Sequence, residues 1–118
     1  MEEVFNWADA VALERGLRVA AKGAYEYAYN QGFYEKPFNF GERIALIHSE
    51  LSEALEADRK GILESDHCPE LSGVEEELAD VFIRLMDLCG YLGIDLGHAV
   101  RVKQAFNMSR PPKHGKAY

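Results

Sequence analysis

Four acidic side chains have the spacing on which phosphate chemistry can be built. Glu50 and Glu53 stand three residues apart in IALIHSELSEALEADRKG, and Glu77 and Asp80 repeat that spacing in EELAD. On helices, residues three apart share a face and lie about 4.5 Å apart along the axis. Two such helices packed antiparallel would gather four carboxylates, which repel one another unless a cation lies between them. An all-oxygen donor set, with no Cys or His at matching spacing, favours Mg²⁺, with Mn²⁺ as a substitute, over Zn²⁺. Either pair alone is a weak signal, because an ExxE on a helix is most often a solvated charged face.

The elements that must position these pairs are legible from their ends. Asn39 and Glu42 have capping-box spacing, and Arg59, Lys60 and Gly61 form a C-terminal stop, so a helix is expected from near Phe40 to Gly61. Its apolar stripe is Ile44, Ile47, Leu51 and Leu55, with Glu50 and Glu53 on a flank beside Leu46 and Ala57. Ser72 and Glu75 open a second helix that runs through Leu92 and stops at Gly93. There the stripe is Val74, Leu78, Val81, Leu85, Leu88 and Leu92, with Glu77, Asp80 and Arg84 on its flank. Arg84 could hold or neutralise the carboxylates. Glu75, Glu76 and Asp87 read as surface charge.

The remaining elements frame this pair. Trp7, Val11, Leu17, Ala21, Ala24 and Ala28 recur at helical spacing between Val4 and Asn30, with a possible break near Gly16. The segment FYEKPFNF, Phe33 to Phe40, reads as an ordered loop with aromatic stacking surface. Ile62 to Ser72 has no pattern and reads as a flexible loop. Asp95 is the natural N-cap of a last helix that ends near Met108, before Pro111 and Pro112. Met86 and Met108 read as core filling, and His48 and His98 as structural or surface groups. Together these elements predict one all-α domain over 1–118, a bundle of four to five helices with a basic C-terminal tail over 106–118.

That tail reverses the charge of the molecule. The chain carries a formal charge of −7, yet five of its thirteen Lys and Arg residues fall in the last eighteen positions. Lys103, Asn107 and Arg110 can share one face and offer donors to phosphate or sugar oxygens, with Lys113, His114 and Lys116 of KHGK beyond them. Without the acidic pairs, a solvated basic tail that offsets the acidic surface would be the preferred reading. The acidic balance argues against nucleic acid or anionic membrane as partner. The longest aliphatic run, Ile44 to Ile47, is far short of a membrane span, and MEEVFNW lacks the layout of a signal peptide. A cytoplasmic protein is therefore expected. Cys68 and Cys89, without a CxxC or Cys/His cluster, read as free thiols.

Taken together, ExxE, a spacer of twenty-three residues and ExxD, set in ALIHSELSEALEADRKG, EELADVFIRLMDLCGYLGIDL and NMSRPPKHGK, resemble the MazG-like branch of the all-α nucleoside triphosphate pyrophosphohydrolases. The resemblance covers the whole chain and looks like a phage and bacterial subgroup, so a phage-encoded copy would work in the host cytoplasm. It implies a helical bundle assembled as a homodimer or homotetramer, with active sites built by more than one chain. It implies Mg²⁺-dependent hydrolysis of nucleoside or deoxynucleoside triphosphates to the monophosphate and pyrophosphate. Position by position, Glu50, Glu53, Glu77 and Asp80 become metal ligands, with Glu50 or Glu53 also taking the proton of the attacking water. Lys103 and Asn107, and less directly Arg110 and Lys113, become substrate contacts. Many relatives have a further Glu before the first motif residue, where this chain has Ser49. The alternatives are an alarmone hydrolase acting on guanosine tetraphosphate and a non-catalytic helical oligomer that binds nucleotide. A di-iron carboxylate bundle is set aside, because it needs Glu followed three residues later by His on two helices.

Overall fold

The computed structural model describes residues 6–115. Its helices are α1 Trp7–Asn30, α2 Phe40–Lys60, α3 Gly73–Leu92 and α4 Leu96–Met108, followed by a 3₁₀ turn at Pro112–Gly115, and no strand occurs among the described residues. The ends are fixed by local chemistry. Asn6 Oδ1 accepts from the N–H groups of Ala8 and Asp9, and Asn39 Oδ1 from that of Glu42 at 2.9 Å. Ser72 and Glu75 form a reciprocal capping box, and Asp95 Oδ1 accepts from His98 N–H at 3.0 Å. Helices α2 and α3 stop at Gly61 and Gly93, whose φ of 64° and 69° suit a residue without Cβ.

The break expected near Gly16 does not occur, and α1 is one 24-residue helix. Its buried Ala10, Leu17, Ala21 and Ala28 repeat along one face, so packing outweighs the roughly 1 kcal/mol that each interior Gly costs against Ala. Helix α2 packs on α3, α3 on α1, and α1 on α4. Two of these crossings are too tight for a side chain. A Cβ at Gly90 would lie 2.7 Å from the Ala21 carbonyl oxygen, and one at Gly97 would collide with the backbone of Glu14. The α1–α4 crossing is also charged. Arg101 Nε donates to Glu14 Oε2 at 2.5 Å, while Arg18 bridges Glu14 and Asp95. Arg101 and His98, which contacts the same group, therefore serve the fold.

The face that α2 buries differs from the stripe expected of it. Glu50, Ala54 and Ala57 are buried, whereas Leu51 and Leu55 are 46% and 52% exposed. The same shift leaves Leu78 and Phe82 of α3 exposed at 49% and 44%, and Met108 lies at the surface. Small residues let the backbones approach, so the contact follows alanines and glycines, and the larger side chains are left outside. Among the described residues no large side chain is fully buried. The radius of gyration is 16.8 Å, against roughly 13–14 Å for a compact domain of this length. No described helix is long and apolar enough to cross a membrane.

The Ile62 to Ser72 segment is tied down. Ser65 is buried, its N–H donates to the Leu71 carbonyl at 2.8 Å, and its hydroxyl donates to Glu76 Oε2. FYEKPFNF is the ordered aromatic segment expected. Tyr34 and Phe38 stack on Tyr91 of α3, with ring centroids at 4.9 and 4.2 Å.

Candidate functional site

The seam between α2 and α3 gathers three of the four predicted carboxylates. Glu50, Glu53 and Glu77 each offer an oxygen to a group whose atoms all lie within 4.8 Å of one another. Glu50 and Glu53 share a face of α2 by their spacing, and Glu77 meets them because it lies on the side of α3 that packs on α2. Asp80 stands outside this group. One methylene shorter and one helical turn further along α3, it lines a cavity beside Glu50. Ser49 points away and donates to the Leu46 carbonyl at 2.6 Å, so it adds nothing to the cluster.

The cluster is electrostatically unbalanced. Burial, followed by the facing Glu50 and Glu53, pushes the Glu77 pKa up to about 7. Burial also raises that of Asp80, with Glu50 and Glu76 adding to the rise and Arg84 opposing it. Glu77 Oε2 is buried without a hydrogen-bond partner. The ion pair at this centre is Arg84 Nε on Glu50 Oε1, at 2.9 Å. Three carboxylate oxygens with one orphaned atom make an all-oxygen donor set, and its charge is what a hard divalent cation would neutralise.

Two cavities open on either side of the cluster. One of about 400 Å³ is lined by Glu53, Lys60, Ser65, His67, Glu76 and Glu77. The larger, about 590 Å³, runs from Glu50, Asp80 and Arg84 to Phe33, Lys36, Pro37 and Arg43 in and beside the aromatic segment. Two residues read from the sequence as surface charge belong to these walls. Asp87 is half-buried and accepts from the Tyr34 hydroxyl at 2.6 Å, and burial raises the pKa of both groups. Glu76 anchors Ser65 and meets His67 Nδ1 at 3.2 Å. Asp87 was recoverable from spacing, because Asp80, Arg84 and Asp87 fall at i, i+4 and i+7 on one face. Arg43 was missed. Its guanidinium lies 4.4 Å from the centroid of Tyr34 and donates to the Phe33 carbonyl at 2.7 Å, contacts that only the folded loop creates.

The predicted substrate residues lie on a different helix pair. Lys103 and Asn107 lie on α4 and Arg110 just beyond its end, and the support of α4 is α1, while the carboxylates stand on α2 and α3. Lys103 and Arg110 flank the exposed ring of Phe106 at 4.7 and 5.4 Å from its centroid. Asn107 Oδ1 is buried without a partner. Lys113 sits in the 3₁₀ turn with φ of 58°, and Lys116 lies outside the described residues. Cys68 is exposed, Cys89 is buried, and both are free. No family model, no curated protein and no solved structure matches the chain.

Proposed function

We propose that this chain hydrolyses nucleoside or deoxynucleoside triphosphates between the α and β phosphorus atoms, releasing the monophosphate and pyrophosphate, with Mg²⁺ held at the α2–α3 seam. This is the activity implied by the resemblance to the MazG-like pyrophosphohydrolases. The observation that carries it is the meeting of Glu50, Glu53 and Glu77 within 4.8 Å, joined to a buried Glu77 oxygen that has no partner. The donor set fits a hard divalent ion, which when bound would neutralise phosphate charge and lower the pKa of a bound water.

The chain's own residues supply the rest. Glu50, Glu53 and Glu77 hold the ion, and Asp80 extends the set toward the larger cavity. Glu53, exposed and not the partner of Arg84, is the carboxylate best placed to take the proton of the attacking water. The cavity of about 590 Å³ falls within the usual size of small-ligand sites, and Phe33 offers a ring to a base while Lys36 offers charge to phosphates.

Assembly into a homodimer or homotetramer belongs to the same reading. Its support is the exposed apolar set Leu51, Leu55, Leu78 and Phe82 and the open shape of the chain. A second chain would also offer a route for the Lys103 and Asn107 face to meet a carboxylate centre from which its own helix is separated.

The test is pyrophosphate release from a panel of canonical nucleoside and deoxynucleoside triphosphates with Mg²⁺, orthophosphate followed in parallel, and Glu53→Gln as control. Pyrophosphate from one or a few substrates, absent in the variant, is the expected outcome. Silence across the panel would overturn the reading in favour of an alarmone substrate or a binding-only role.

A further inference from the structure

We propose that Arg84 is a displaceable counter-cation: it holds Glu50 while the carboxylate centre is without metal and, when Glu50 turns to a metal, moves into the larger cavity to bind a phosphate oxygen of the substrate. The proposal rests on the metal-dependent reading above and deepens it.

Glu50 is only 8% exposed, so its carboxylate cannot rely on water for its charge, and Arg84 Nε at 2.9 Å provides the compensation. Arg84 holds Glu50 through Oε1, and a divalent cation drawn to the same buried carboxylate would repel the guanidinium and weaken that hold. Arg84 is the partner free to move. Its side chain is 39% exposed, against 11% for Glu50, and it borders the cavity of about 590 Å³ into which it can turn. Its contact with Glu50 runs through Nε, which leaves the terminal N–H groups to meet a second anion.

The position is also the useful one. Arg43, the other guanidinium of that cavity, is committed to the Phe33 carbonyl and the Tyr34 ring. Arg84 instead stands beside Glu50 and Asp80, where phosphates bridged to the carboxylates must lie. Exchange of one anion for another would keep the guanidinium paired throughout, so metal and phosphate binding would reinforce each other.

The experiment is Mn²⁺ binding, followed by the loss of its free EPR signal, in wild type, Arg84→Met and Arg84→Lys. It is repeated by calorimetry with inorganic tripolyphosphate as probe at saturating Mn²⁺. Arg84→Met should bind Mn²⁺ roughly tenfold more tightly than wild type, because the internal competitor is gone. The Mn²⁺-loaded variant should bind tripolyphosphate roughly tenfold more weakly, and in turnover KM should rise more than kcat falls. Arg84→Lys, which keeps the charge but loses the fork, should hold Mn²⁺ like wild type and bind tripolyphosphate several-fold more weakly. That variant carries the test if circular dichroism finds Arg84→Met unfolded. Equal or weaker Mn²⁺ binding by Arg84→Met would reduce Arg84 to a group that orients Glu50, and unchanged tripolyphosphate affinity in both variants would remove it from substrate binding. Absence of Mn²⁺ binding in wild type and variants alike would overturn the metal centre itself, and this proposal with it.

Discussion

Glu77 is where proton and metal would compete. Its folded pKa of about 7 lies above the ordinary 4.5, so the folded state holds the proton more tightly than the unfolded chain does. The stability this contributes is full below about pH 4.5 and is lost as pH rises through about 7. Metal-free wild type should therefore lose melting temperature relative to Glu77→Gln between those values and run parallel to it above them. Millimolar Mg²⁺ should reverse the order above pH 7, raising the melting temperature of wild type and leaving that of Glu77→Gln nearly unchanged. Thermal melts across pH, with and without Mg²⁺, check both. An identical Mg²⁺ response in the variant would move the metal away from Glu77. In turnover, Glu77→Gln should cost at least about a hundredfold in pyrophosphate release, read as kcat/KM at saturating Mg²⁺.

At the scale of the element, the crossings of α1 decide where α3 and α4 stand. Gly97 brings α4 onto the backbone of Glu14, and Gly90 brings α3 onto Ala21. A methyl group at either place must push two helices apart, because it would meet the Glu14 backbone at Gly97, and the Tyr25 Cβ and Ala21 carbonyl oxygen at Gly90. Gly97→Ala should destabilise the fold by about 1–3 kcal/mol, several degrees of melting temperature. It should do so without weakening Mg²⁺ binding at the α2–α3 seam, since α4 rests on α1. The glycines were plain in the sequence as weak points of helices, but their use as contact points was not. An interior Gly looks the same whether it faces solvent, as with Gly16, or a neighbouring backbone, as with Gly97.

For the whole molecule, the large apolar side chains left outside give the assembly prediction its form. Sedimentation at micromolar concentration should find a dimer or larger, and Leu55→Glu should shift it toward monomer with the helical content retained. A monomeric wild type would remove the shared-site picture. If sites are shared, Glu77→Gln and Lys103→Ala should complement each other. Chains mixed after denaturation and renaturation should recover roughly a quarter of wild-type activity, because half the dimers are mixed and one of their two sites is intact. No recovery would place Lys103 and the carboxylates in the same chain's site, or Lys103 outside it altogether.

The sequence by itself determined the four helices, the ordered aromatic turn and the two acidic pairs, because caps, stops and i, i+3 spacing act within a few residues of themselves. Asn39, Ser72 and Asp95 cap where their side chains reach the next turn, and no other part of the chain has a say in that. Only the tertiary structure decided which face each helix buries. Contact through alanines and glycines rotated α2 to bury Glu50 instead of Leu51 and Leu55, drew Arg84 across from α3 to pair with it, and set Asp80 apart from the other three carboxylates. It also pinned α4, with Lys103 and Asn107, to α1. These outcomes depend on how closely two backbones can approach, a property of residue pairs far apart in the chain, and so they are absent from the periodicity of either helix alone.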